Sequence, residues 1–378
     1  MKRLSTTYFL YFAQLGVLVP YLGIFLDGRG FTSAQIGELF ALITFARIFG
    51  PTLWASLADK TGKTISILRL GCGLTVLSFI GIFWAQHFWW IVLTLGLMMM
   101  FWTAVLPQLE VITLSEAKLR GINYGNVRLW GSIGFIALTV LTGHLIDAFG
   151  SEMPIYVSCA VLALLFLSTL LITTPQEHLE VSQETGYQWR AVFKPVFVVF
   201  LLSATLLQVS FGVYYGFFAL YMRDLGHSGQ LTGFLIAIGV AAEVLIFILA
   251  GRLIAKFGVK WLLIVSIGLT AIRWFILGHA ADFLLLLIFA QLIHALSFGL
   301  THAASVAFIH HYFDTSFQSR GQALYISIAF GIGGALGNWL AGQWWQQGSG
   351  ASLSFTLAAA IAAVGAIVLI PLSKQRLA

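Results

Sequence analysis

The chain has 378 residues, of which 59% are hydrophobic and 9% charged, and it carries a net charge of +6. So little polar surface cannot cover a soluble protein of this size, which excludes soluble enzymes and binding modules and points to a polypeptide embedded in a bilayer. The excess positive charge lies on loops beside apolar runs, so it carries no nucleic-acid implication.

Apolar runs long enough to cross about 30 Å of hydrocarbon recur along the chain. Twelve can be drawn: 6–26, 33–57, 65–86, 89–115, 126–148 and 153–174, then 192–222, 229–254, 260–280, 283–310, 321–346 and 350–372. The expected fold is all-α, twelve transmembrane helices in two pseudo-symmetric six-helix bundles. The first run follows Lys2 and Arg3, but it is too long for a signal-peptide core and lacks a small-x-small cleavage site, so it reads as a helix.

Basic residues collect on the cytoplasmic side of membrane proteins with short loops. Placing both termini in the cytoplasm puts 16 of the 20 Lys and Arg residues there, among them Lys60, Lys63, Arg120, Lys256 and Arg320. Only Arg29 and Arg223 fall outside, while Arg47 and Arg273 stay within spans. The one long polar stretch separates a first bundle, 1–174, from a second, 192–378, with 175–191 as a cytoplasmic linker. The halves repeat. Sliding the chain by 196 positions lays Gly30 on Gly226, Gly37 on Gly233, Leu57 on Leu253, Lys60 on Lys256 and Gly62 on Gly258. The same register lays Arg47 on Glu243, two charges of opposite sign at equivalent depth.

Arg47, Glu110, Arg128, Glu243 and Arg273 all sit inside or at the edge of apolar runs. A charge at mid-bilayer costs about 2.5 to 3.5 kcal/mol on insertion scales, so such groups mark pathways for ions or substrates. Structural ion pairing is the bland reading of each, and Arg128 could instead snorkel to the interface. Arg47, with its planar fork, suits a carboxylate. Glu243, taken out of water, suits a reversible proton carrier. His294 and His302, eight residues apart, share roughly one helix face. Tyr11, Gln14 and Tyr21 form a stripe on the first span, and Gln208 and Tyr215 another on the seventh; helix packing is the commoner use of such stripes. Cys72 and Cys159 read as small buried hydrophobes, and the glycines of Gly331–Gly337 as close-packing positions. No metal site and no cofactor is expected. A nucleotide loop at Thr61–Thr64 fails for want of its first glycine and its strand.

The residues Leu57-Ala58-Asp59-Lys60-Thr61-Gly62-Lys63 resemble the signature loop of the major facilitator superfamily, with a decayed copy at Leu253–Gly258. The resemblance implies that Asp59, Lys60, Gly62 and Lys63 brace helix ends through the conformational cycle. Pro107-Gln108-Leu109-Glu110 and Tyr124-Gly125-Asn126-Val127-Arg128 are similar to the lactose and sucrose permease group of proton symporters. That likeness implies a Glu110–Arg128 pair at the substrate site, with Arg273 and His294 in proton coupling. It departs where that group's acid one turn beyond the histidine is Ser297 here. Phe45–Gly50, Tyr214–Phe217, Ala242–Phe247, Arg273-Trp274 and the pair His294 and His302 resemble the 3-phenylpropionate permease branch, over nearly the whole chain.

Together these imply a secondary transporter, not an enzyme, of the inner membrane. Its expected cargo is a small aromatic acid carried with protons, through a chain acting as a monomer in the lipid bilayer. Substrate contacts fall to Arg47, Glu110, Arg128, Tyr11, Gln14, Tyr215 and Asn338, and proton coupling to Glu243, Arg273, His294 and His302. A sugar or nucleoside is the alternative cargo. A non-transporting sensor or a lipid-handling protein is the alternative class.

Overall fold

The computed structural model describes residues 2–173 and 189–372, apart from the side chains of residues 46, 47, 49, 51, 52, 55, 59 and 316. Most of the expected linker therefore lies outside the described residues. Among the described residues the only regular secondary structure is helix, joined by short turns, with no strand.

Two compact units partition the chain. The first comprises Met1–Val181 with Gly226–Phe234, and the second Ser182–Leu225 with Leu235–Ala378. The first holds α1 (Lys2–Gly28), α2 (Ser33–Thr61), α3 (Thr64–Ile80), α4 (Phe88–Trp102), α5 (Val105–Arg120), α6 (Tyr124–Phe149) and α7 (Met153–Leu170). The second holds α8 (Trp189–Val192), α9 (Pro195–Asp224), most of α10 (Gly229–Phe257), α11 (Val259–His279), α12 (Leu284–His294), α13 (Thr301–Tyr312), α14 (Thr315–Tyr325), α15 (Gly334–Trp345) and α16 (Ala351–Ile367). Among the described residues, ten helical segments are long and apolar enough to cross a membrane; α4 with α5, α12 with α13 and α14 with α15 each count as one. Helices α2 and α16 bring the spans to twelve.

Local chemistry sets the helix limits. Thr32 opens α2 through a capping box: its hydroxyl accepts from Gln35 N at 3.3 Å, and its own amide donates to Gln35 Oε1 at 3.0 Å. Gly62 closes the same helix in the left-handed region, φ +63°. Asn123 Oδ1 accepts from Gly125 N at 2.8 Å and starts α6. Within the first unit, the Asp147 carboxylate accepts from Gly229 N at 2.6 Å and Gln230 N at 2.9 Å, so an acid meets two free amides and the positive dipole end of α10.

The repeat is real at the level of backbone. The 196-residue shift carries Ser33–Thr61 onto Gly229–Phe257, end to end. Packing repeats with it: α1 lies on α6 and α7 as α9 lies on α15 and α16, and α3 lies on α7 as α11 lies on α16. Gly16 and Gly212, equivalent under the shift, both sit against backbone, Gly16 against Phe135 of α6 and Gly212 against Gly337 of α15. A side chain at either would separate the helices, which is the small-residue packing that membrane helices rely on. A cation on α3 and another on α11 cap the carbonyl ends of α7 and α16: Arg69 Nη2 donates to Ile172 O at 2.9 Å, and Lys260 Nζ to Ile370 O at 2.7 Å.

The halves differ in the fourth span. In the first unit it breaks at Thr103–Ala104, between α4 and α5; in the second a π-helical segment, Ala295–Leu300, joins α12 to α13 without a break. A second π segment, Ile326–Gly333, runs between α14 and α15. Neither was legible as such: the glycines at 331–337 were read for packing, which Gly333 against Thr205 and Gly337 against Val209 do provide.

Candidate functional site

Buried chemistry in the second unit centres on Arg273, whose side chain is fully enclosed by α9, α11 and α12. Its guanidinium lies over the Tyr214 ring at 4.3 Å and the Trp274 ring at 4.4 Å. Cation–π contacts of this desolvated kind contribute roughly 2 kcal/mol or more. Nη2 donates to Gln291 Oε1 at 3.3 Å, and the same oxygen accepts from the Tyr214 hydroxyl at 2.8 Å. Nη1 meets His294 Nδ1 at 3.1 Å.

That last contact decides the tautomer of His294. A guanidinium has only donors, so Nδ1 must accept and the ring proton must sit on Nε2. Nε2 faces Glu243 Oε2 at 3.7 Å, with both side chains largely buried. Among the described residues no ion pair joins Glu243 directly to Arg273, and His294 stands between them as a bridge. A second proton on this imidazole would turn Nδ1 into a donor aimed at a donor.

His302 joins the same column by stacking. The rings of His294 and Phe298 are parallel within 8° at 5.9 Å, those of Phe298 and His302 within 11° at 6.2 Å, and Tyr325 follows at 6.0 Å. In an α-helix each four-residue step overshoots a full turn by about 40°. The wider turn of the π segment absorbs that overshoot, so residues 294, 298 and 302 stay in line. The expected shared face is thus present, produced by a π segment the sequence did not reveal. Tyr215 stacks on Phe211 at 5.4 Å and Asn338 is buried on α15, in the same unit.

The first unit carries a second polar cluster, built from α1, α5 and α6. Arg128 lies over the Phe12 ring at 3.9 Å and near the Tyr8 ring at 5.9 Å. Tyr124 donates to Glu110 Oε1 at 3.4 Å and its ring meets Tyr8 edge-on at 6.4 Å. Glu110 and Arg128 do share one cluster, yet no ion pair within bonding distance joins them. Aromatic rings hold the guanidinium to one side, and among the described residues no carboxylate contacts it. Tyr11, one residue before Phe12, stacks on Trp102 at 4.6 Å.

Of the signature loop, Gly62 takes its left-handed turn and Lys60 and Lys63 are exposed. The side chains of Asp59 and Arg47 lie outside the described residues. Sequence reasoning did not single out Gln291, Trp102, Tyr124 or Phe12 as site residues. Gln291 carried a signal: it is one of few amides in an apolar run, three residues before His294.

Known proteins place this arrangement in a family. The model of the MFS_1 like family matches residues 1–357. A probable 3-phenylpropionic acid transporter of Escherichia coli is 32% identical over 334 residues, covering 87% of each chain. Maltose permease of Geobacillus stearothermophilus is 28% identical, covering 97% of this chain and 93% of its own. Among solved structures, the D323A mutant of the nucleoside transporter NupG superposes with a TM-score of 0.87 at 18% identity over 98% of both chains. A bacterial homolog of the lysosomal transporter Spinster, inward-facing, reaches 0.74 at 16% identity, covering 100% of this chain and 96% of its own. The chain belongs to the MFS_1-like family and is a multi-pass membrane transporter with the major facilitator fold.

Proposed function

We propose that the protein is a proton-coupled symporter of small organic acids, aromatic ones foremost, working by alternating access in the inner membrane with both termini in the cytoplasm. The observation that carries this reading is Arg128: a permanent cation laid on Phe12 and Tyr8, with no carboxylate in contact among the described residues. The guanidinium is half-buried near the start of α6, and its planar fork matches a carboxylate. The ring faces beside it suit an aromatic body. The 3-phenylpropionic acid transporter among the relatives points the same way.

In the second unit Glu243 takes the proton, His294 relays its state, and Arg273 holds the imidazole in one tautomer. A protonated Glu243 no longer attracts the Nε2–H, so the contact with His294 weakens and α10 and α12 lose one tie. Arg47 joins Arg128 in the proposed substrate lining of the first unit; Asp59, Lys60, Gly62 and Lys63 act as the conformational loop.

Purified protein in proteoliposomes, loaded with unlabelled 3-phenylpropanoate, tests this by counterflow of the labelled acid. Exchange of the acid that maltose and nucleosides fail to inhibit is the expected result. Counterflow of a sugar or nucleoside with none of the acid would overturn the cargo, and no counterflow of any solute would overturn the transport reading in this setting.

A further inference from the structure

We infer that the transporter selects ring-hydroxylated aromatic acids over unsubstituted ones, through Gln14 and Trp102. The inference rests on the organic-acid reading above and deepens it. Gln14 is 1% exposed, yet among the described residues neither its Oε1 nor its Nε2 has a hydrogen-bond partner. Trp102, at the end of α4 and 2% exposed, likewise has an indole N–H with no partner among the described residues. A buried amide or indole left unbonded costs about 1 to 3 kcal/mol per group, so such groups await water or a ligand.

The two belong to one neighbourhood. Tyr11 stacks on Trp102 with centroids 4.6 Å apart, and Gln14 follows Tyr11 by one turn of α1. From there Tyr11 meets Phe12 at 5.1 Å, and Phe12 carries Arg128. One end of this row of rings offers a cation. The other offers neutral hydrogen-bonding groups.

The donor and acceptor inventory names the ligand group. Trp102 Nε1 can only donate, Gln14 Oε1 can only accept, and Gln14 Nε2 donates. A carboxylate or carbonyl would leave the amide oxygen unsatisfied, and a hydrocarbon ring would leave all three unsatisfied. A phenolic hydroxyl donates to Gln14 Oε1 while accepting from Trp102 Nε1, which leaves Gln14 Nε2 as the one group still to be met by water. With its carboxylate at Arg128 and its ring along the aromatic row, a hydroxyarylalkanoate satisfies both ends. Sites built to bond a hydroxyl discriminate strongly against the analogue that lacks it.

The test is the binding of 3-phenylpropanoate, 3-(3-hydroxyphenyl)propanoate, 3-(4-hydroxyphenyl)propanoate and their methoxy analogues to purified protein, for wild type, Gln14→Leu and Trp102→Phe. The Trp102→Phe change keeps a ring on Tyr11 and removes only the donor. The readout is the ratio of affinities, with folding checked by the unliganded melting temperature and elution profile. Expected is a preference of about tenfold or more for one hydroxylated acid, the ratio one buried neutral hydrogen bond carries, falling towards unity in both variants. Hydroxylated and plain acids bound equally by wild type would overturn the inference and leave the organic-acid reading standing. A preference unchanged in both folded variants would overturn the role of Gln14 and Trp102. Binding of none of these acids would overturn both readings.

Discussion

Gly30 and Gly226, 196 positions apart, turn the chain at the same point of each half with the same left-handed φ of +82°. A Cβ added at either would meet no atom within 4 Å, so the only obstacle to a larger residue is the backbone conformation itself. Gly30→Ala and Gly226→Ala should therefore each cost about 1 to 2 kcal/mol, the price of the left-handed region for an L-residue. The two melting temperatures in detergent should fall by similar amounts. A large drop for one alone would show that the repeat is not energetically equivalent at these turns.

Arg128 supplies a prediction about charge recognition. Arg128→Gln should abolish binding of an organic acid, and Arg128→Lys should weaken it strongly, since an ammonium neither forks onto a carboxylate nor lies flat on Phe12. Isothermal titration separates this from misfolding if the variants keep their elution profile. Full affinity in Arg128→Gln would move the anion site elsewhere.

Glu243→Gln mimics a permanently protonated acid without altering shape. Exchange of labelled for unlabelled substrate should persist, while accumulation driven by an imposed pH gradient should disappear. Retained accumulation would assign the proton to a different group. If a monoanion enters with one proton, uptake by the wild type should ignore a potassium diffusion potential; strong voltage dependence would exclude that stoichiometry.

The Asp147 carboxylate predicts a local effect. Asp147→Ala removes a charged acceptor from the first two amides of α10, a loss of about 1 kcal/mol for a capping interaction. Hydrogen exchange at Gln230 and the following turn should quicken about fivefold, the factor that such a loss implies. Exchange at the far end of α10, around Phe257, should stay as it was. Unchanged exchange at Gln230 would show that the contact does not protect the helix start.

Much of this protein was legible in its residues because a bilayer leaves the backbone few options. Span length, the loop bases and the 196-residue repeat follow from hydrophobicity and from turn chemistry that reads one residue at a time: Gly62, Gly30 and Gly226 are local signals. The buried charges were also visible, because Glu110, Arg128, Glu243 and Arg273 stand out in an apolar background. What each touches was not. Whether Arg273 meets Glu243 directly or through His294 depends on the rotation of α10, α11 and α12 about their axes, and the alignment of His294 with His302 depends on a π segment with no compositional mark. Glu110 and Arg128 read as a contact pair, but aromatic packing from α1 holds the guanidinium over Phe12 instead. Periodicity and composition determine that a helix crosses and which charges it carries. The partner of each charge is set by side-chain packing between helices distant in sequence, and only the tertiary structure decides that.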